Sequence, residues 1–328
     1  MHSVRIFFFL LISLPSFAQN DRRVVDSLVL EHPNSTQKVE KKRVAITIDD
    51  VPNTRSFEEN GYQSKLLHLL DSAKVPVTIF INEGKLDYGK KRKNVKLLED
   101  WIERPFVTPA NHTFGHSRYS AVGFDEFVED IENGEELTAS LAAKHNKNLR
   151  YFRFPYNDLG KDSAQQVQMQ KFLSDNHYIS TPFTIETSDW MFSAVYDRYL
   201  EKGDKEKAKE IGRMYVAETI RTFAFFDSLM RHQYGRSVNQ IYLCHDNKLN
   251  EDYLSELLLG LEMEGYAFID LDEAMRDEVY HQEDNYWKKW GISWCYRWMK
   301  PSERRSTMMK EPNLGGIEDR YHKEMEEK

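Results

Sequence analysis

The chain has 328 residues, 40% of them hydrophobic, 13% aromatic and 30% charged, enough to bury a sizeable core in one large α/β domain. A formal net charge of −8 argues against a protein that grips nucleic acid by neutralising phosphates. The two cysteines, Cys244 and Cys295, contain no Cys-x-x-Cys pair and so offer no cysteine metal site; the sequence leaves open whether they pair.

The N-terminus has the pattern of an export signal. Arg5 supplies a positive charge, 6–14 is an apolar run too short to span a bilayer, and Ser16-Phe17-Ala18 has small residues at both ends. Cleavage after Ala18 is expected, leaving a mature chain that starts near Gln19, is exported to the periplasm or beyond, and has no membrane span. No cysteine follows the run, which argues against a lipid anchor. Residues 19–42 are polar and charged and are expected to form a linker.

Thereafter short apolar runs alternate with amphipathic stretches. Residues 43–48 are β-branched and apolar, a buried strand that ends at Asp49-Asp50. A helix is expected over 64–74, a strand over 75–81, a helix over 94–102 and a strand over 106–109. That last strand leads into His112 and His116, four residues apart, which on a helical turn would share one face. Two histidines on one face can grip one metal ion, although no glutamate follows the first, so the H-E-x-x-H protease motif is absent. One amphipathic helix is expected over 123–145, then a strand at 151–154, a helix over 165–173 and short strands at 178–180 and 183–185. The segment 191–239 breaks the rhythm and reads as a helical insertion of one or two helices. A strand at 241–244 ending at His245, a helix over 253–264, a strand over 265–270 and a short helix over 271–279 complete the pattern. A C-terminal extension, 281–328, carries Trp287, Trp290, Trp294 and Trp298, which suit either packing or a sugar-stacking surface, packing being the commoner use.

Strands alternating with helices indicate a parallel α/β sheet or barrel. The polar residues of interest all follow strand ends, where such folds carry their chemistry. Singly, each has an ordinary reading: Asp49-Asp50 as a turn or cap, Arg153 as an ion-pair residue, Trp190 as core, His245 as a satisfied buried histidine.

Their order and spacing resemble the polysaccharide deacetylases (the NodB-homology domain, carbohydrate esterase family 4), whose five motifs are T-F-D-D, H-[ST]-x-x-H, R-x-P-[YF], D-x-x-D-W and L-x-L-x-H. The corresponding residues are Thr47-Ile48-Asp49-Asp50, His112-Thr113-Phe114-Gly115-His116, Arg153-Phe154-Pro155-Tyr156, Glu186-Thr187-Ser188-Asp189-Trp190 and Ile241-Tyr242-Leu243-Cys244-His245. The departures are Ile48, Glu186 and Ile241, of which Glu186 puts the outer position of its motif in doubt.

The resemblance implies an irregular (β/α)7-type barrel over about 43–280, with 191–239 as the insertion. It implies a divalent metal, Zn²⁺ first and Co²⁺ or Ni²⁺ as alternatives, held by Asp50, His112 and His116. One carboxylate and two neutral imidazoles suit such an ion and leave positions open. By the same resemblance Asp49 is the base that takes a proton from metal-bound water and Arg153 orients it. The backbone N–H of Tyr156 stabilises the oxyanion, His245 is the acid and Asp189 its partner. Trp190 and Leu243 wall a pocket for the acetyl methyl. The implied reaction removes acetyl groups from a carbohydrate, first an N-acetyl hexosamine polymer of peptidoglycan or chitin type. O-acetyl xylan, a small amide, or silent glycan binding on the same scaffold stand as alternatives.

Overall fold

The structure is a computed structural model that describes residues 41–326. The expected export signal and all but the last two residues of the linker lie outside that range. Lys42 already belongs to the first strand.

Among the described residues eight strands form one parallel sheet: β1 (Lys42–Val51), β2 (Val77–Ile81), β3 (Val107–Asn111), β4 (Tyr151–Phe152), β5 (Ile179–Ser180), β6 (Ile185–Glu186), β7 (Asn239–His245) and β8 (Tyr266–Ile269). Seven follow the order β5-β4-β3-β2-β1-β7-β6, and β8 pairs with the start of β1. Helices connect successive strands except β5 and β6, which only four residues join, giving the curled half-barrel of an irregular (β/α)7-type fold. Because every pairing is parallel, all strands end on the same side of the sheet. β1 is central, and Val44, Ala45, Ile46 and Ile48 are at most 1% exposed. Such double-sided burial is what an unbroken apolar run in a parallel strand provides for.

One expectation about helices is revised. The stretch 123–145 is two helices, Phe124–Asn133 and Glu136–Lys144. The break falls at Gly134, where an added Cβ would lie 2.4 Å from the Thr113 carbonyl carbon and 2.6 Å from the Phe114 nitrogen. A distant backbone segment occupies the space that a side chain would need. The segment 191–239 holds two helices, Asp189–Glu201 and Lys205–Tyr234. The longer one buries Ile211, Tyr215, Phe223 and Phe226 in the main core beside Tyr242 and Leu254, so it packs as part of the fold.

The C-terminal extension joins the same unit. Ser293 Oγ donates to the Thr184 carbonyl (2.6 Å) and the Trp294 N–H to the Phe183 carbonyl (3.0 Å), while Trp298 is buried. Both cysteines are buried free thiols. Among the described residues no helix is long and apolar enough to cross a membrane.

Gly134→Ala is expected to destabilise the chain by about 1–3 kcal/mol, because a buried methyl must displace backbone. Urea unfolding checks this. A midpoint equal to wild type would mean that the Thr113–Phe114 backbone shifts freely.

Candidate active site

The end of β1 is irregular. Its pairing with β2 shifts register between Ile48 and Val51, and Asp50 adopts φ 65°. Asp49 is 2% exposed and faces Arg153, whose Nη1 donates to Asp49 Oδ1 (2.7 Å) and to Thr47 Oγ1 (2.8 Å). Arg153 Nη2 donates to the Pro182 carbonyl (3.1 Å), and the guanidinium lies 4.1 Å from the centre of the Phe80 ring. Asp50 Oδ1 faces both histidines, and the second oxygen of Asp49, Oδ2, also lies 3.9 Å from His112 Nε2. Lys85 Nζ donates to the Asp50 carbonyl (2.7 Å) and sits 3.5 Å from Asp50 Oδ2.

His112 and His116 are brought together without a helix. β3 ends at Asn111, and 112–118 is a loop in which Thr113 and His116 take left-handed backbone, φ 67° and 58°. Local side chains hold that shape. Asn111 Oδ1 accepts from the Thr113 N–H (2.7 Å), and Thr113 Oγ1 from the His116 N–H (3.0 Å). Asp130, on the helix before Gly134, accepts from the Gly115 N–H (2.5 Å) and the Ser117 N–H (3.1 Å). Asn82 Nδ2 donates to the carbonyls of Thr113 and Phe114. The two imidazoles end with ring centres 5.1 Å apart.

His112 is 2% exposed. Its Nδ1 lies 2.8 Å from the Arg153 carbonyl, which can only accept, so the proton sits on Nδ1 and Nε2 presents a lone pair. Burial pushes its pKa down to about 4 despite nearby carboxylates, so the ring is neutral at pH 7. Burial alone would raise the Asp50 carboxyl. Lys85 and the two imidazoles outweigh it and hold the group well below the usual carboxylate range.

Asp50, His112 and His116 each offer one ligand atom, all within 4.8 Å of one another. Asp50 Oδ1 is buried, makes no hydrogen bond, and lies 3.8 Å from His112 Nε2 and 3.2 Å from His116 Nε2. A buried carboxylate oxygen that faces two imidazoles and is hydrogen-bonded to neither is suited to a cation. The residues fit a divalent metal, and an anion, a neutral imidazole and a second imidazole are the donor types for it.

Asp49 and His245 are register neighbours on β1 and β7. His245 Nδ1 lies 2.6 Å from Asp189 Oδ1, while Asp189 Oδ2 accepts from the His245 N–H, Asn247 Nδ2 and Asn250 Nδ2 at 2.8–2.9 Å. Tyr215, on the Lys205–Tyr234 helix, donates to Asn250 Oδ1 (2.7 Å), so that helix reaches this network. Burial alone would lower the His245 pKa. The Asp189 carboxylate outweighs it, with Asp50 and Asp49 adding, and raises it to about 10. Asp189 is held below the usual range: burial would raise it, but His245 and Asn247 prevail. Glu186, the motif departure, accepts from the Ser188 N–H (2.6 Å); burial and the Asp189 charge push it up to about 7.

Tyr156 also has left-handed backbone, φ 59°, with its ring 4.6 Å from that of His116 and 3.6 Å from the Arg118 guanidinium. Leu243 is 1% exposed, whereas Trp190 is 44% exposed and lies edge-on to Tyr321 of the C-terminal extension at 5.3 Å. Of eleven described non-glycine residues with positive φ, six (Asp50, Thr113, His116, Tyr156, Asn157, Ser188) lie in or beside these motifs. Each costs of order 1–3 kcal/mol, and such strain gathers at functional sites. Sequence reasoning missed Asn82, Lys85, Asp130, Asn250 and Tyr215, which carry no motif and act only through distant contacts.

The polysaccharide deacetylase family model matches residues 36–172. No curated protein matches the chain. Among solved structures it is similar to a mutant of a family 4 carbohydrate esterase pseudoenzyme from Bacillus anthracis with restored enzymatic activity. That comparison has 17% identity and a TM-score of 0.47, and covers 74% of this chain and 69% of that one. It is similar to the Bc1960 peptidoglycan N-acetylglucosamine deacetylase at 19% identity and TM-score 0.47, covering 71% of this chain and 88% of that one. The peptidoglycan deacetylase PdaC from Bacillus subtilis gives 16% identity, TM-score 0.45 and coverage of 71% and 90%.

The Asp189–His245 pair makes stability pH-dependent. The folded imidazole is raised from 6.5 to about 10, so its contribution is complete below about pH 6.5 and is lost as pH rises through about 10. Urea midpoints of metal-stripped protein between pH 6 and 10.5 are expected to fall more steeply for wild type than for His245→Gln. Parallel profiles would mean that the pair is not ionised in the free protein.

Proposed function

Residues 36–172 belong to the polysaccharide deacetylase family, and from that premise we propose that the protein is an exported, metal-dependent hydrolase that removes acetyl groups from a carbohydrate. The observation that carries the proposal is the buried, unbonded Asp50 Oδ1 facing two imidazole nitrogens, next to an Asp49 clamped by Arg153. N-acetyl hexosamine polymers of peptidoglycan or chitin type are the first substrate class, and O-acetyl xylan the second.

In this reading Asp50, His112 and His116 hold the divalent ion, Zn²⁺ first and Co²⁺ or Ni²⁺ as alternatives. Such an ion, when bound, makes water easier to ionise and polarises a carbonyl. The remaining steps belong to the chain. Asp49 accepts the proton of the attacking water, and Arg153 fixes the direction of its carboxylate. The Tyr156 backbone N–H, offered by a left-handed turn, stabilises negative charge on the former carbonyl oxygen. His245, kept as imidazolium by Asp189, gives its proton to the departing amine or alcohol. Water and acetamide thereby become acetate and free amine. Leu243 and Trp190 wall the acetyl methyl. A glycan-binding protein without turnover would have no use for the Arg153–Asp49 clamp or the Asp189–His245 pair together.

Acetate release tests this. The chain from Gln19, stripped of metal and then given Zn²⁺, is expected to release acetate from N-acetyl glycans only after metal is restored. Loss of dependence on metal, or no release from any N- or O-acetyl glycan, would overturn the proposal. Asp49→Asn is expected to retain metal and lose kcat by at least 10²-fold, in the range of general-base catalysis. Wild-type turnover in that variant would remove Asp49 as the base. His245→Ala is expected to slow N-acetyl substrates more than esters with good leaving groups, which need no proton. Equal slowing would count against its acid role.

A further inference from the structure

The four C-terminal tryptophans divide into two kinds. Trp298 is 6% exposed and Trp294 is packed edge-on against Phe183. Trp287 and Trp290 are 43% and 60% exposed. Burying an indole is strongly favourable, so two left in solvent three residues apart call for an occupant.

The segment that carries them is pinned to the candidate active site. Gly291 packs so closely on the turn after Arg153 that an added Cβ would lie 2.5 Å from the Tyr156 carbonyl oxygen and 2.6 Å from Asn157 Cβ. Trp290 immediately precedes this contact, and its carbonyl accepts from the Ile292 N–H (3.0 Å), closing a tight bend. The Tyr156 ring in turn touches His116. A short chain of contacts thus joins the exposed indoles to a proposed metal ligand. On the far side of Gly291 the segment is fixed by Ser293 and Trp294 to Thr184 and Phe183, which lead into β6.

Between the indoles lie Lys288 and Lys289, both exposed. Lys289 Nζ stands 4.9 Å from the centre of the Trp290 ring. The Lys289 ammonium lies over one face of this indole, so the opposite face and the lysines meet the two needs of a pyranose ring. Its C–H face stacks on the aromatic plane, and its hydroxyl oxygens accept hydrogen bonds from lysine.

We infer that Trp287 and Trp290 form a sugar-stacking subsite beside the catalytic centre, occupied by a pyranose unit next to the one that loses its acetyl group. The occupant is therefore a glycan chain of several linked sugars, not an isolated sugar or a small amide. This rests on the deacetylase reading for the identity of the neighbouring site, but not for the binding itself.

The test is calorimetric titration of the full protein with a β-1,4-linked N-acetylglucosamine tetramer and with the N-acetylglucosamine monomer, alongside acetate release. Wild type is expected to bind the tetramer more tightly than the monomer. Trp290→Ala and Trp287→Ala are each expected to weaken the tetramer about tenfold, the scale of one lost aromatic contact, with monomer affinity unchanged. Trp290→Phe is expected to recover part of the loss, as a stacking role requires and a merely structural one does not. Kinetically the alanine variants should raise KM for the tetramer and leave kcat on a small acetyl ester unchanged. Equal tetramer affinity in wild type and variants, or no preference of wild type for tetramer over monomer, would overturn the subsite. Tryptophan-dependent tetramer binding without any acetate release would instead overturn the deacetylase reading and keep the subsite.

Discussion

A fully buried guanidinium is the constraint around which the site is arranged. Arg153 has no exposed surface, so its charge must be met inside the fold, and the nearest anion is Asp49 at 2.7 Å. Removing either partner would strand the other in a low-dielectric interior, at a cost of about 3–5 kcal/mol. Thr47 and the Pro182 carbonyl take further protons, tying β1, β4 and the approach to β6 to one side chain. The same residue's backbone carbonyl accepts from His112 Nδ1. One residue thus fixes the direction of a carboxylate and the tautomer of an imidazole that faces Asp50.

Around that centre the supports come from far along the chain. Asp130 and Asn82 hold the histidine loop in a backbone shape it would not keep alone. The Lys205–Tyr234 helix reaches Asp189 through Tyr215 and Asn250. The C-terminal extension closes on the Tyr156 turn at Gly291 and on Trp190 at Tyr321. Segments that look peripheral in sequence therefore brace the strand ends, which lets several strained residues persist there.

The parallel sheet was legible because its strands are short apolar runs and its helices amphipathic. The clustering of Asp49, Asp50, His112, Arg153, Asp189 and His245 was legible because each lies at or just past the end of an apolar run and parallel strands end together. Strand limits were less so. β1 runs on through Asp50 to Val51, since a kink lets polar residues stay in the ladder. The histidine pair met by a left-handed loop, not a helical turn, because Asn111 and Asp130 outbid local helical spacing. The break at Gly134 depends on a backbone twenty residues earlier in the chain, which no local periodicity reports. The pairing of Lys85 with Asp50, and the exposure of Trp287 and Trp290 beside buried Trp298, are tertiary facts of the same sort.

What Asp50, His112 and His116 hold is the most direct test. A crystal of the protein grown with Zn²⁺, measured on both sides of the zinc absorption edge, would locate the ion by its anomalous scattering. A metal site at these residues gives one peak within bonding distance, about 2.0–2.2 Å, of an Asp50 carboxylate oxygen and the Nε2 atoms of His112 and His116. A zinc-loaded protein with no peak there, or with its ion on other residues, would contradict it.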